Sequence, residues 1–134
     1  SLGKPNAVPL QNLEVEAKLE AILIEGHTDS VRVGPSCPFA SNWELSTGRA
    51  LSAYVELMRW RPELDSLANR RMEPIFSVSG YADRRPIGGD RRTNLTPEGR
   101  AANRRIDLRF LMGNPRRPSE VAADWDSVAQ ASVR

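Results

Sequence analysis

Asn42-Trp43-Glu44-Leu45-Ser46-Thr47-Gly48-Arg49-Ala50 reads as the start of the longest helix in the chain. Ser41 is placed to cap it and Glu44 to reach back, the reciprocal pair of a capping box. Pro62 bounds the far end, because the residue before a proline avoids helical geometry, so the helix runs to about Arg61. On a helical wheel Ala50, Leu51, Tyr54, Val55, Leu57 and Met58 share one broad arc, which predicts packing on a sheet. Arg49 falls nearly opposite the centre of that arc. It is therefore free of the core and lies near the positive end of the helix.

Ahead of this helix, Ala21-Ile22-Leu23-Ile24-Glu25-Gly26 is a short apolar run ending in glycine, the pattern of a strand. His27-Thr28-Asp29 follows, and His27 and Asp29 share a side if extended geometry continues. Val31 to Ser41, with Gly34, Pro35 and Pro38, makes a long connection of the kind that tends to be functional. After the helix, Pro62 to Pro74 is charged and irregular, with a short helical turn at 63–68. Ile75-Phe76-Ser77-Val78-Ser79-Gly80 alternates and reads as a second strand. Its ending, Gly80-Tyr81-Ala82-Asp83, is a weak echo of Gly26-His27-Thr28-Asp29. Residues 84–95 are rich in Arg and Gly and read as a mobile loop. Thr96-Pro97-Glu98 opens a short helix with a capping threonine and proline in the first turn, ending near Asn103. Arg105 to Leu111 alternates strictly, placing Ile106, Leu108 and Phe110 on one face of a half-solvated strand.

The order strand–helix–strand–helix–strand predicts a two-layer α/β (α+β) domain with helices packed on one mixed sheet. Residues 1–20 read as linker and lead-in helix, 21–112 as the domain, and 113–134 as a C-terminal extension. Pro5 and Pro9 mark the linker, and Leu10 to Glu20 carries a short amphipathic pattern. In the extension Val121, Trp125 and Val128 form one helical stripe, which either docks on the domain or serves a neighbouring subunit.

The chain has 134 residues, 40% hydrophobic and 27% charged, a composition that fits a soluble globular domain. No apolar run approaches the roughly 20 residues of a membrane span. With no initiating Met and no signal-like segment, the expectation is a domain excised from a longer protein, any membrane anchor lying upstream of Ser1. Cys37 is the single cysteine, so no intrachain disulfide or cysteine metal set can form. Net charge is only +2, but eight arginines (84, 85, 91, 92, 100, 104, 105 and 109) fall between Arg84 and Arg109 against Asp90, Glu98 and Asp107. These guanidinium forks suit planar anions; a solvated surface explains them equally well. A nucleic-acid surface is not expected, since no strand carries the interleaved aromatics of an RNA-binding sheet and acids elsewhere cancel most of the charge.

A lone His27 without cysteine ligands gives little basis for zinc, and no nucleophile stands beside it in a hydrolase pattern. The expected role of His27 is structural, its ring bonding a nearby backbone group. No cofactor, metal or enzymatic activity is expected. Asp29 and Arg49 are the more informative pair. A free amino-acid or peptide end presents an ammonium beside a carboxylate, which Asp29 and Arg49 could hold with help from N–H groups at the helix start. A simple surface salt bridge between them is the alternative, worth about 0–1 kcal/mol.

Taken in order, Ile24-Glu25-Gly26-His27-Thr28-Asp29, then Asn42-x-x-Leu45-Ser46-x-x-Arg49-Ala50-x-x-x-x-Val55, then Ser79-Gly80-Tyr81-Ala82-Asp83 with Pro86, then Gly99-Arg100-Ala101-Ala102-Asn103-Arg104-Arg105-Ile106-Asp107 resemble the OmpA-like peptidoglycan-binding domain. The match runs from about Ala21 to Leu111. The wording Ser41-Asn42-Trp43-Glu44-Leu45-Ser46 is most similar to the flagellar-motor stator B subunits and their relatives in the Zorya anti-phage stators. The resemblance implies a non-catalytic periplasmic domain that binds the diaminopimelate of the peptidoglycan stem peptide. It implies that Asp29 holds the ammonium and Arg49 the carboxylate. Asn42, Leu45 and Ser46 would line the site, Thr28 would contribute a backbone or hydroxyl contact, and Arg104 would be a further carboxylate or wall contact. It also implies a homodimer, anchored to the inner membrane by an upstream segment. The alternative is a dimerising module that does not bind the wall. The loop from Asp29 to Asn42 and the segment 88–94 depart from the family pattern.

Overall fold

A computed structural model describes residues 19–113. β1 (Leu19–Gly26), α1 (Asn42–Trp60), β2 (Phe76–Gly80), α2 (Pro97–Asn103) and β3 (Ile106–Met112) follow one another in the expected order. β1 is the central strand, parallel to β2 and antiparallel to β3. The architecture is a two-layer α+β fold on a mixed sheet. β1 begins at Leu19, so Leu19 and Glu20, which helical periodicity had claimed, are strand residues. The rest of that expected helix and the stripe through Trp125 lie outside the described residues.

The register explains the echo between the two glycine-ended strands. Gly26 pairs with Gly80, Ile24 with Val78 and Ile22 with Phe76. Both glycines face α1. A Cβ on Gly26 would collide with the Ser46 carbonyl oxygen, and one on Gly80 with the Thr47 hydroxyl. The first two turns of α1 therefore rest almost directly on the sheet backbone, and Ser46 and Ala50 are fully buried. Close approach needs small side chains on both partners.

That contact corrects the helical-wheel expectation at Leu51 and Val55, while Ala50 is buried and Tyr54, Leu57 and Met58 are half-buried as expected. The buried line of α1 runs through Ser46 and Ala50, while Leu51 and Val55 are 51% and 47% exposed. The wheel weighted large apolar residues, whereas the glycines select small ones. Tyr54 packs toward β2, its ring tilted against Phe76. With α1 centred over β1 and β2, Ile106, Leu108 and Phe110 of β3 are left exposed. Pairing of Leu108 with Ile24 puts this apolar row on the α1 side of the sheet, with no helix over it among the described residues.

Local signals at the helix ends hold with one adjustment. Ser41 accepts the Glu44 amide at 3.4 Å, but the Glu44 carboxylate takes the Ala40 amide at 2.9 Å instead of the Ser41 amide. Thr96 caps α2 by accepting from the Gly99 amide at 3.0 Å. The irregular stretch after α1 opens with a 3₁₀ turn over Pro62–Ser66. Residues 84–95, expected as a mobile loop, contain two short 3₁₀ segments, Ile87–Gly89 and Arg91–Leu95. Asn103 pins them: fully buried, it accepts from the Ile87 amide and donates to Thr93 Oγ1 and Asn94 Oδ1.

The face of the sheet away from α1 is polar. Buried Glu25 accepts from Arg109 at 2.8 Å, which compensates its charge. Arg109 also donates to the Tyr81 hydroxyl at 3.1 Å. His27, 2% exposed, stacks on Tyr81 with centroids 5.3 Å apart. Its Nε2 lies 3.3 Å from Asp107 Oδ2, yet neither ring nitrogen makes a hydrogen bond. The expected bond to a backbone group is thus replaced by stacking. Burial, reinforced by the nearby Arg105 guanidinium, pushes the His27 pKa below its ordinary value against the opposing pull of Asp107.

Two predictions follow from this packing. Gly26→Ala should cost about 1–3 kcal/mol through backbone displacement, whereas Gly34→Ala, with nothing within 4 Å, should stay within about 0.5 kcal/mol of the parent; urea midpoints measure both. His27 resists protonation when folded, so the unfolded chain binds the extra proton first. Stability is fully present above the unfolded value of 6.5 and declines as pH falls below it. Thermal melts between pH 7.5 and 5.5 should show that decline, and His27→Phe should flatten it.

Candidate ligand-binding site

Beyond Gly26 the β1 chain continues extended between two neighbours. The His27 amide donates to the Arg105 carbonyl at 2.9 Å and the Thr28 amide to the Ala82 carbonyl at 2.8 Å. Asp29 is thereby delivered to the end of the sheet, beside the start of α1. It is only 7% exposed. Its Oδ1 accepts the Val31 amide at 2.9 Å, and its Oδ2 accepts Arg104 Nη1 at 2.6 Å. A carboxylate this buried needs such partners, because desolvation disfavours an unpaired charge. Arg104 keeps 44% of its side chain in solvent, so the pair has one buried and one accessible member.

The ion-pair partner of Asp29 is thus not Arg49, so the simple Asp29–Arg49 salt bridge raised as the alternative is not the arrangement among the described residues. Arg104, which ends α2, is the guanidinium on Asp29. Arg49 is exposed on α1, and among the described residues it makes no ion pair with Asp29. The helix positions Arg49 on the flank next to buried Ala50, away from the Thr47 and Tyr54 side that meets β2.

The other expected site residues build the walls. Thr28 is buried, its hydroxyl donating to the Asp29 carbonyl at 2.9 Å. Asn42 Nδ2 donates to the Val31 carbonyl at 3.0 Å and reaches the Asp29 carbonyl at 3.4 Å. It ties the long 30–41 connection to the helix start. Ser46 is sealed from solvent; its Oγ accepts the Ala82 amide at 3.0 Å and donates to the Trp43 carbonyl at 3.0 Å. Leu45 is half-buried. Thr28, Asn42 and Ser46 thus spend their polar groups on backbone. They hold Asp29 in place; Ser46 also holds Ala82, whose φ of 52° requires firm anchoring.

Sequence reading missed a second wall. Asn94 Oδ1 accepts the Ser30 amide at 3.2 Å as well as Asn103 Nδ2 at 2.9 Å, and Arg100 donates to the Asn94 carbonyl at 3.1 Å. A cleft of about 270 Å³ opens there, lined by Ser30, Asp83, Arg84, Arg91, Asn94 and Leu95. Asn103 stood in the quoted motif, but nothing in the sequence said that it organises a loop ten residues upstream. Chemically, a held carboxylate beside an accessible guanidinium matches a group that carries an ammonium and a carboxylate on neighbouring atoms.

No protein-family model matches the chain. Motility protein B of Bacillus subtilis (strain 168) is 36% identical over 107 residues, covering 80% of this chain and 36% of that protein. The uncharacterized protein YtxE of the same organism is 33% identical over 87 residues, covering 65% of this chain and 31% of that protein. The chain thus spans about a third of the length of these curated relatives. A solved MotB-like protein from Desulfovibrio vulgaris aligns with a TM-score of 0.46 at 22% identity, covering 69% of this chain and 49% of that one. By its homology to Motility protein B, the chain belongs to the MotB-like group of OmpA-like domains.

Proposed function

We propose that this chain is the non-catalytic wall-binding domain of a stator-like, ion-driven membrane complex, and that it anchors the complex by gripping the diaminopimelate of the peptidoglycan stem peptide. The observation that carries this reading is the Asp29–Arg104 pair at the mouth of the site, built by motif residues at both ends. Asp29 takes the ligand ammonium and Arg104 takes the adjacent carboxylate. Arg49, solvated on the same end of α1, supplies a second guanidinium once ligand arrives. Backbone N–H groups at the α1 start add to this field. In this reading the domain is periplasmic, its anchor is an upstream membrane segment, and the complex is of the flagellar or anti-phage kind.

A second reading draws on the exposed row Ile106, Leu108 and Phe110. An apolar row on an edge strand suits burial against another copy of the chain. On that reading the chain is a homodimerising structural module that does not bind the wall. Dimerisation and wall binding are compatible, and only the loss of wall binding separates the two readings.

Co-sedimentation with purified sacculi tests the proposal. The parent domain should pellet with sacculi. Asp29→Ala and Arg104→Ala should each weaken retention by roughly tenfold or more, the scale expected when one member of a partly buried ion pair is removed. Arg49→Ala should weaken it less if Arg104 is the principal carboxylate contact. Retention unchanged in all three variants would remove the site assignment. Dimers that ignore sacculi would favour the second reading.

A further inference from the structure

We infer that the cleft beside Asp29 is a second anion subsite in which Arg84 and Arg91 receive a further carboxylate of the same wall peptide. This rests on the reading above and extends it to a specificity-determining part of the site. Position is the first argument. Ser30, which lines the cleft, directly follows Asp29, and its amide is held by Asn94 on the opposite wall. A ligand seated on Asp29 and Arg104 has this cleft as its immediate neighbour.

Charge is the second argument. Two guanidinium groups, Arg84 and Arg91, line the cleft against the single carboxylate of Asp83. Asp83 approaches Arg84 only loosely, Oδ1 to Nε at 3.8 Å, which leaves the Arg84 fork open. Arg91 makes no side-chain hydrogen bond or ion pair among the described residues. Its neighbour Arg92, by contrast, is committed to Asp90 through both carboxylate oxygens. Arginine forks prefer planar, two-oxygen acceptors, so the subsite suits a carboxylate.

Construction is the third argument. Arg84 lies over the Trp43 ring, 5.7 Å from its centroid, and the Arg84 amide donates to the Tyr81 carbonyl at 3.1 Å. The turn that carries it is tied to α1 through Ser46 and to the extended segment after β1 through Thr28. The opposite wall is fixed through buried Asn103. A Cβ on Gly99 would strike the Thr93 carbonyl oxygen, so α2 presses closely on the 3₁₀ turn bearing Arg91. Both arginines are therefore mounted on braced backbone. At about 270 Å³ the cleft is smaller than typical whole-ligand pockets and suits one side branch. In a peptidoglycan stem peptide the residue next to diaminopimelate is a γ-linked D-glutamate, whose free α-carboxylate is the kind of side branch such a cleft would receive.

Calorimetric titration of the 134-residue chain separates this subsite from the primary grip. Three probes are needed: free diaminopimelate, the tripeptide L-alanyl-γ-D-glutamyl-diaminopimelate, and the same tripeptide with the glutamate α-carboxylate amidated. The acidic tripeptide should bind about three- to tenfold more tightly than its amide, in keeping with a partly solvated charge contact. Arg91→Ala, and separately Arg84→Ala, should erase that preference while leaving affinity for free diaminopimelate unchanged. Arg91→Lys should restore part of it. Equal affinity of the parent for acid and amide, with diaminopimelate still bound, would overturn the subsite and leave the primary reading standing. Equal losses for all three probes in the variants would place these arginines in the primary grip and also overturn the subsite. Failure of the parent to bind any probe would remove both.

Discussion

The approach of α1 to two glycines controls the geometry of the molecule. Gly26 and Gly80 are register partners on parallel strands, and neither leaves room for a Cβ beneath the helix. This brings the Ser46 hydroxyl within reach of the Ala82 amide and sets the helix start beside the exit of β1. A larger residue at either glycine would lift the helix, and the turns after both strands would lose their common support. The site depends on a backbone-to-backbone distance before it depends on any charged side chain.

Polar groups then divide into those that hold and those that face outward. Thr28, Asn42, Ser46 and Asn103 direct their hydrogen bonds to backbone or neighbouring side chains. Each satisfies a group that burial would otherwise leave costly. Asp29 stands between the classes: one oxygen is held by the Val31 amide, and the other faces Arg104. Arg104, Arg84, Arg91 and Arg49 keep their charge in contact with solvent. The arginine-rich stretch thus separates into distinct tasks. Arg109 neutralises Glu25 and Arg105 pairs with Asp107 on the far face. Arg92 is held by Asp90, which caps the 3₁₀ turn, and others line the cleft.

Much of the fold was legible in order and type. Alternation located β2 and β3, proline and capping residues located both helices, and the glycine endings located the strand exits. The expected face of α1 was right at Ala50 but turned too far toward Leu51 and Val55, because a wheel favours large apolar side chains, whereas Ser46 joins Ala50 in the buried line on account of glycines more than thirty residues apart. The boundary at Leu19 was misread because helical and strand patterns overlap in a short apolar run. His27 was expected to bond backbone, but its ring stacks on Tyr81, a residue placed beside it only by strand pairing. The Glu44 side chain missed its expected partner by one residue because the 30–41 connection approaches the helix along its own path.

The sequence by itself determined which residue types could form a site: an acid after Gly-His-Thr, arginines on a helix and near a strand, and the glycines that permit close packing. Those follow from local chemistry and spacing. Tertiary structure decided the partnerships. Asp29 meets Arg104, 75 residues away, because β3 returns antiparallel beside β1 and brings the end of α2 to the exit of that strand. Asn103 joins Ile87, Thr93 and Asn94, which lie 9 to 16 residues upstream, because the 3₁₀ segments fold back against α2. Long-range pairing of this kind depends on register and on the path of the intervening chain, and neither is written in the neighbourhood of any single residue.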